Sequence, residues 1–160
     1  MRQERKEQEL EKDLIGLPKG KNPQRTGLTL QGFHVEKRTE RFKSGKPDLR
    51  IGRRDLGQLD VELKYIDWPK ESVDKAREID TTMKKIQWLN MRKYNEHGMP
   101  CICLVYIEAY AEFIITTNQV LRTPLYKHGQ RVLPYIPRPM VIDGERLFVA
   151  ARDYLKNAGY

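Results

Sequence analysis

Apolar and polar residues alternate along two neighbouring stretches, 48–53 and 59–66, and a Gly-containing turn joins them. In an extended strand, successive side chains point to opposite faces. Leu49 and Ile51 therefore share one face, and Asp48 and Arg50 the other. In the second stretch Leu59, Val61, Leu63 and Tyr65 form the apolar face, which leaves Asp60, Glu62 and Lys64 together on the opposite one. The pattern predicts a hairpin with one buried face and one face rich in charge.

Other elements follow from the same periodicities. Leu10 and Leu14 stripe a charged segment that stops at Gly16, which predicts a helix over 2–15. Residues 16–27 are rich in Gly, Pro and Lys and read as a loop. A strand is expected over about 28–36, and 67–79 is ambiguous. Asp80-Thr81-Thr82 offers N-cap chemistry for a helix running to His97 and closed by Gly98. Met83, Ile86, Asn90 and Tyr94 would track one side of it, with Ile79 entering from below. CICLVYI at 101–107 is a continuous apolar run, as a central buried strand would be, and EFIITT at 112–117 is the next strand. From 118 to 139 the chain is punctuated by prolines and reads as irregular, after which Asp143-Gly144 starts a helix to about Lys156. The order α-β-β-β-α-β-β implies an α/β fold. Its mixed central sheet would be flanked by helices, with the strands bearing Asp48, Glu62 and Cys101 at the centre. The expected division is a core over 1–117 and a C-terminal extension over 118–160. The extension would belong to the same domain or form an appendage for dimer or DNA contacts.

Composition narrows the class. At 160 residues, 39% hydrophobic and 32% charged, the chain fits one globular domain, and no apolar run approaches the about 18 residues a membrane span needs. The first residues lack the apolar core of a signal peptide, so an intracellular, cytoplasmic setting without membrane association is expected. Cys101 and Cys103, two apart on one strand, cannot bridge and are expected as small core residues in a reducing compartment. His34, His97 and His128 show no zinc spacing, and no phosphate-binding glycine loop is present. Trp68, Trp88 and the eight tyrosines read as core or rim.

Thirty basic against twenty-two acidic residues give a net charge of +8, which favours a polyanionic partner. The basic residues concentrate at 19–25, 37–46 and 50–54, around the Asp48 and Glu62 pair. Lys19, Lys21, Arg25, Arg41, Lys43, Ser44, Lys46 and Arg50 are therefore the candidate contacts to a phosphate backbone.

Asp48 and Glu62 can meet across the hairpin as a carboxylate pair, with the Lys64 ammonium two residues along. Two hard oxygen donors beside a cation suit a magnesium-dependent phosphodiester hydrolase. The ion binds one or two carboxylates plus substrate phosphate, and the lysine orients water or offsets developing charge. The bland alternative is a solvated face with cross-strand ion pairs.

Pro47-Asp48 on one strand and Glu62-Leu63-Lys64 on the next, in this element order, resemble the PD-(D/E)xK nuclease superfamily. Glu7-Gln8-Glu9-Leu10 is similar to the Glu-x-Glu-Leu of archaeal-type Holliday-junction resolvases. Gly32-Phe33-His34-Val35 and Ser44-Gly45-Lys46-Pro47-Asp48-Leu49 resemble strings before their second strand. Gln87-Trp88-Leu89, then Gly98 and an apolar strand, resemble the corresponding part of the resolvase and VRR-NUC branches. The resemblance spans about residues 4–117. The insertion at 16–27 is longer than in compact resolvases, and the tail from 118 matches no family pattern.

The resemblance implies a restriction-endonuclease-like core and a metal-dependent endonuclease acting on branched or duplex DNA. Magnesium is the implied cofactor, with manganese as substitute. Asp48, Glu62, the Leu63 carbonyl and Glu7 would hold the metal, Lys64 would position water, and Gln87 would support the site. Glu7 lies three and seven residues before Leu10 and Leu14, on the inward stripe, and Glu11 is the alternative occupant. Gln87 could equally be a helix-surface residue. A sequence-specific restriction or homing nuclease on the same core is the rival enzyme, and a basic DNA-binding or assembly protein the non-enzymatic rival. Symmetric cutting would call for a homodimer, with Val132, Leu133, Tyr135, Ile136, Leu147, Phe148 and Leu155 as the candidate interface.

Overall fold

The computed structural model describes residues 2–16, 27–38, 45–122, 125–126, 131–137 and 142–160. Along the chain run α1 (Arg2–Ile15), β1 (His34–Lys37), β2 (Leu49–Arg53), β3 (Gly57–Ile66), α2 (Lys70–Lys75) and β4 (Glu78–Asp80). They are followed by α3 (Lys85–Glu96), β5 (Cys101–Ile107), β6 (Glu112–Thr116), β7 (Val120–Arg122), β8 (Tyr135–Pro137) and α4 (Gly144–Asn157). Among the described residues a six-stranded sheet has the order β1-β2-β3-β5-β6-β8, and β4 and β7 form a small sheet of their own. Among the described strand pairings only β3–β5 is parallel, with α2, β4 and α3 lying between those strands in the chain. The fold is α/β with a mixed sheet, as the sequence pattern predicts.

The alternation in β2 and β3 divides the two faces of the sheet. Leu49, Ile51, Val61, Leu63, Ile102 and Leu104 pack beneath Leu10 and Leu14 of α1 and Leu147, Phe148 and Ala151 of α4. The other face carries Cys101, Cys103 and Val105, with Val73, Ile79, Met83 and Met91 over them. Both thiols are free and buried. Burial, followed by the nearby carboxylates, pushes both thiols up from their ordinary range.

Local chemistry accounts for the helix ends. Leu28 N–H donates to Leu14 O at 2.9 Å and the Thr29 hydroxyl to Ile15 O at 2.8 Å, which satisfies carbonyls at the end of α1. A Cβ on Gly27 would lie 2.4 Å from the Gly16 Cα, so only glycine lets the chain return this closely after residues 17–26. Asp143 caps α4 by accepting from the Glu145 and Arg146 N–H groups, as its sequence position predicts. On α3, Asn95 donates to Cys101 O and accepts from Cys101 N–H, both at 2.8 Å, and so ties the helix to the start of β5. Asn95→Leu strips the buried Cys101 N–H of its acceptor and should cost about 1–3 kcal/mol, read from the urea unfolding midpoint. A change within 0.3 kcal/mol would contradict that account.

Four expectations are corrected. The strand expected over 28–36 is instead a 3-10 turn, Thr29–Gln31, followed by β1 from His34. Gly32, with φ of 85°, redirects the chain between them while Leu28 and Phe33 enter the core. The helix expected from Asp80 begins at Lys85, because Glu78–Asp80 pairs with Val120–Arg122. Its buried residues are Met91 and Asn95, whereas Ile86 is 50% exposed. The stretch 118–139, expected to be irregular, holds β7 and β8. The apolar residues offered for a dimer interface largely serve the chain's own interior. Ile136, Leu147, Phe148 and Leu155 are buried in the first core, while Leu133 and Tyr135 pack against the second. Of that set Val132 stands exposed.

Candidate metal and catalytic centre

The register of β2 on β3 assembles the centre. Leu49 pairs with Val61 and Arg50 with Asp60, so one further step sets Asp48 opposite Glu62. Side chains directly opposite in an antiparallel pair lie on the same face with Cβ atoms about 4.5–5.5 Å apart. Asp48 is 8% exposed, Glu62 2% and Lys64 8%. Asp48 Oδ2 accepts the Leu63 N–H at 3.0 Å, which fixes the carboxylate against the edge of β3 just beyond the last β2 pair. In a strand a residue's N–H and C=O face the same neighbour, so the Leu63 carbonyl is directed toward the Asp48 side.

Glu62 is held from the helix above it. Gln87, on the first turn of α3, donates its Nε2 to Glu62 Oε1 at 2.8 Å. Gln87 Oε1 accepts the Lys84 N–H at 2.8 Å. Lys64 Nζ stands 3.6 Å from the same Glu62 oxygen. Burial first, and then the charge of Asp48, push the Glu62 carboxyl well above its ordinary range, and Lys64 pulls it back. Glu62 Oε2 is buried and has no hydrogen-bond partner among the described residues. Two carboxylates forced together in a dry site, one with an unsatisfied oxygen, form a cluster that an added positive charge would relieve.

The donor chemistry fits a small hard cation. No group of three or more His, Cys, Asp or Glu side chains placed to share an ion is found among the described residues. Two carboxylates, with a backbone carbonyl beside them, match the few protein ligands that magnesium takes while keeping water and phosphate oxygens.

The remaining expected residues fall in different places. On α1 the buried carboxylate is Glu11, 4% exposed and 3.2 Å from Lys37 Nζ, while Glu7, one turn earlier, is half-buried. Arg50 does not stand free for phosphate. Its Nε donates to Asp60 Oδ1 at 2.9 Å, and Arg38 Nη2 reaches the same oxygen at 3.5 Å. Asp60 is thus a buried anchor for two arginines beside the centre. Its alternation with Glu62 puts it on the charged face, but its second partner, Arg38 just past the end of β1, lies 22 residues away, beyond the reach of a local pattern. Lys46 is exposed next to the centre. Lys19, Lys21, Arg25, Arg41, Lys43 and Ser44 lie outside the described residues. His34 is exposed on β1, 3.4 Å from Glu36, and His97 caps α3. No helix of the described residues is long and apolar enough to cross a membrane.

With this geometry in view, comparison with solved structures finds a similar fold in Hjc from Archaeoglobus fulgidus, a Holliday junction resolvase from an archaeal hyperthermophile. The match has 14% identity and a TM-score of 0.45, and covers 79% of this chain and 92% of that one. No protein-family model and no curated protein matches the chain. At that identity the likeness is one of fold, and the chemistry of this chain rests on its own side chains.

Proposed function

We propose that the chain is a magnesium-dependent endonuclease that hydrolyses DNA phosphodiesters, with manganese able to substitute. The observation that carries the reading is the buried contact between Asp48 and Glu62, two carboxylates pressed together beside Lys64 with one oxygen unsatisfied. Asp48, Glu62 and the Leu63 carbonyl would hold the ion, and Glu7 is the further carboxylate that the nuclease resemblance implies. Bound there, a divalent ion supplies Lewis acidity and neutralises charge at the scissile phosphate.

The chain's own groups do the rest. The Leu63 N–H holds the Asp48 carboxylate in one orientation, and Gln87 does the same for Glu62. Lys64, anchored next to Glu62, presents N–H donors where an attacking water or a developing phosphoryl charge would sit. The excess of basic residues draws the polyanionic substrate toward the centre, an effect that weakens as salt rises.

Branched DNA is the substrate that the resolvase-like strings imply. A two-fold homodimer would place two such centres on a substrate of matching symmetry. The test is a substrate panel. An immobile four-way junction and a linear duplex of the same sequence are incubated with the protein and Mg2+, and the products are mapped at nucleotide resolution. Paired cuts in the junction, with the linear duplex untouched, are the expected result. Cleavage of the linear duplex at one sequence would transfer the assignment to a sequence-specific nuclease. Binding of both with cleavage of neither, in Mg2+ or Mn2+, would leave a DNA-binding protein with a structural ion cluster.

A further inference from the structure

We propose that Gln119, in the C-terminal segment, is a positioning residue for the Glu62 carboxylate and acts on it through Gln87. The inference rests on the nuclease reading only in that Glu62 is taken to hold the metal.

The first turn of α3 must be placed accurately for Gln87 to reach Glu62, and the chain leading into it takes an unfavourable path. Thr82 has φ of 65°, a left-handed conformation that a β-branched residue rarely takes and that persists only where its surroundings over-determine it. Those surroundings are supplied largely by one residue. The Gln119 carbonyl accepts both the Thr81 N–H, at 2.9 Å, and the Thr81 hydroxyl, at 2.8 Å. The Gln119 side chain donates its Nε2 to the Met83 carbonyl at 3.1 Å. Gln119 therefore grips the chain on both sides of Thr82. Asp80 Oδ1 adds a bond from the Thr82 N–H at 2.7 Å, and Thr81 and Met83 are buried.

Lys84 follows Met83 directly. Its N–H is the donor that fixes the Gln87 amide, with Oε1 accepting and Nε2 left to point at Glu62. A continuous series of bonds thus runs from Gln119 to Met83, Lys84, Gln87 and Glu62. Backbone pairing of β4 with β7 brings Gln119 to this place, although it lies about as far along the chain from Gln87 as any residue in the series. The segment beyond residue 117 then has a task that its own sequence does not declare. Outer contacts that orient ligand side chains commonly change metal affinity by about 10–100-fold when lost.

The two holds of Gln119 can be separated. Gln119→Met keeps the backbone carbonyl on Thr81 and the β4–β7 pairing, and removes the side-chain bond to Met83. The Gln87 side-chain NH2 resonances in a 1H–15N spectrum of the metal-free protein should shift in this variant. Its Mg2+ affinity, measured by titration, should fall about 10-fold. Gln87→Ala should weaken Mg2+ binding at least as much, and the double variant should be no weaker than Gln87→Ala alone, since both changes break one series. Gln119→Glu, similar in shape but without the donor, serves if Gln119→Met does not fold. Unmoved Gln87 resonances with unchanged Mg2+ affinity would overturn the proposal, as would strictly additive losses in the double variant. A wild-type protein that binds no Mg2+ would defeat the nuclease reading instead, and the Gln87 resonances would still decide the positioning role.

Discussion

Glu62→Gln should give a protein that folds more stably without metal and cuts no DNA. In the wild type the Glu62 carboxylate is buried, repelled by Asp48 and only partly offset by Lys64. The glutamine amide keeps an oxygen for the Gln87 donor and adds an N–H that Asp48 can accept. Each tenfold by which the folded site favours the proton on Glu62 costs the ionised wild type about 1.4 kcal/mol that glutamine avoids, and each kcal/mol is about 2–4 °C in Tm in a chain of this size. The sign follows from linkage. The folded-state Glu62 carboxyl lies above its ordinary value of 4.5, so as pH rises the unfolded chain loses this proton first. Wild-type stability therefore falls from about pH 4.5 up to the higher folded value, and the advantage of Glu62→Gln should be absent below that window and complete above it. Mg2+ should raise the wild-type Tm and leave that of Glu62→Gln nearly unchanged. Scanning calorimetry at several pH values, with and without Mg2+, reads all of these. Equal Tm values at neutral pH, or an equal Mg2+ response, would contradict the account.

Lys64→Met should also be inert, for a different reason. On the proposed reading Lys64 supplies N–H donors and charge rather than metal ligation, and its side chain is buried, so methionine keeps most of the packing. Removing one preorganised donor from a dry centre typically lowers turnover by about 100–1,000-fold. DNA binding and the Mg2+-induced rise in Tm should both survive, which separates this variant from Asp48→Ala and Glu62→Ala. Those two should lose the metal response and cleavage together, and bind DNA as tightly as wild type or tighter, because each removes a negative charge facing phosphate. A Lys64→Met protein that turns over within tenfold of wild type would remove Lys64 from the chemistry.

The centre was legible because its geometry is local. Asp48, directly before β2, and Glu62, on β3, flank a short turn, and period-two alternation alone puts them on one face. The same holds for α1, read from Leu10, Leu14 and Gly16, and for the Asp143 cap of α4. What escaped depends on pairings between distant segments. Asp80 has good N-cap chemistry, yet the residues around it gain more from pairing with Val120–Arg122 than from extending α3, and the helix starts five residues later. Asp60 looked like one more charge on the hairpin until Arg38 and Arg50 closed on it. On α1 the helical stripe admitted both Glu7 and Glu11 but could not say how deeply each would sit, because that depends on where α1 crosses the sheet. The tail held apolar residues enough for an interface, but α4 spends them on the leucine face of the sheet.

The most direct test of the central claim is cleavage of an end-labelled four-way junction by wild type and Glu62→Gln, purified in parallel and assayed with Mg2+ and with EDTA. The account predicts cuts by the wild type in Mg2+ alone, and none by Glu62→Gln although it binds the junction. Equal cleavage by the two proteins, or cleavage that persists in EDTA, would contradict it.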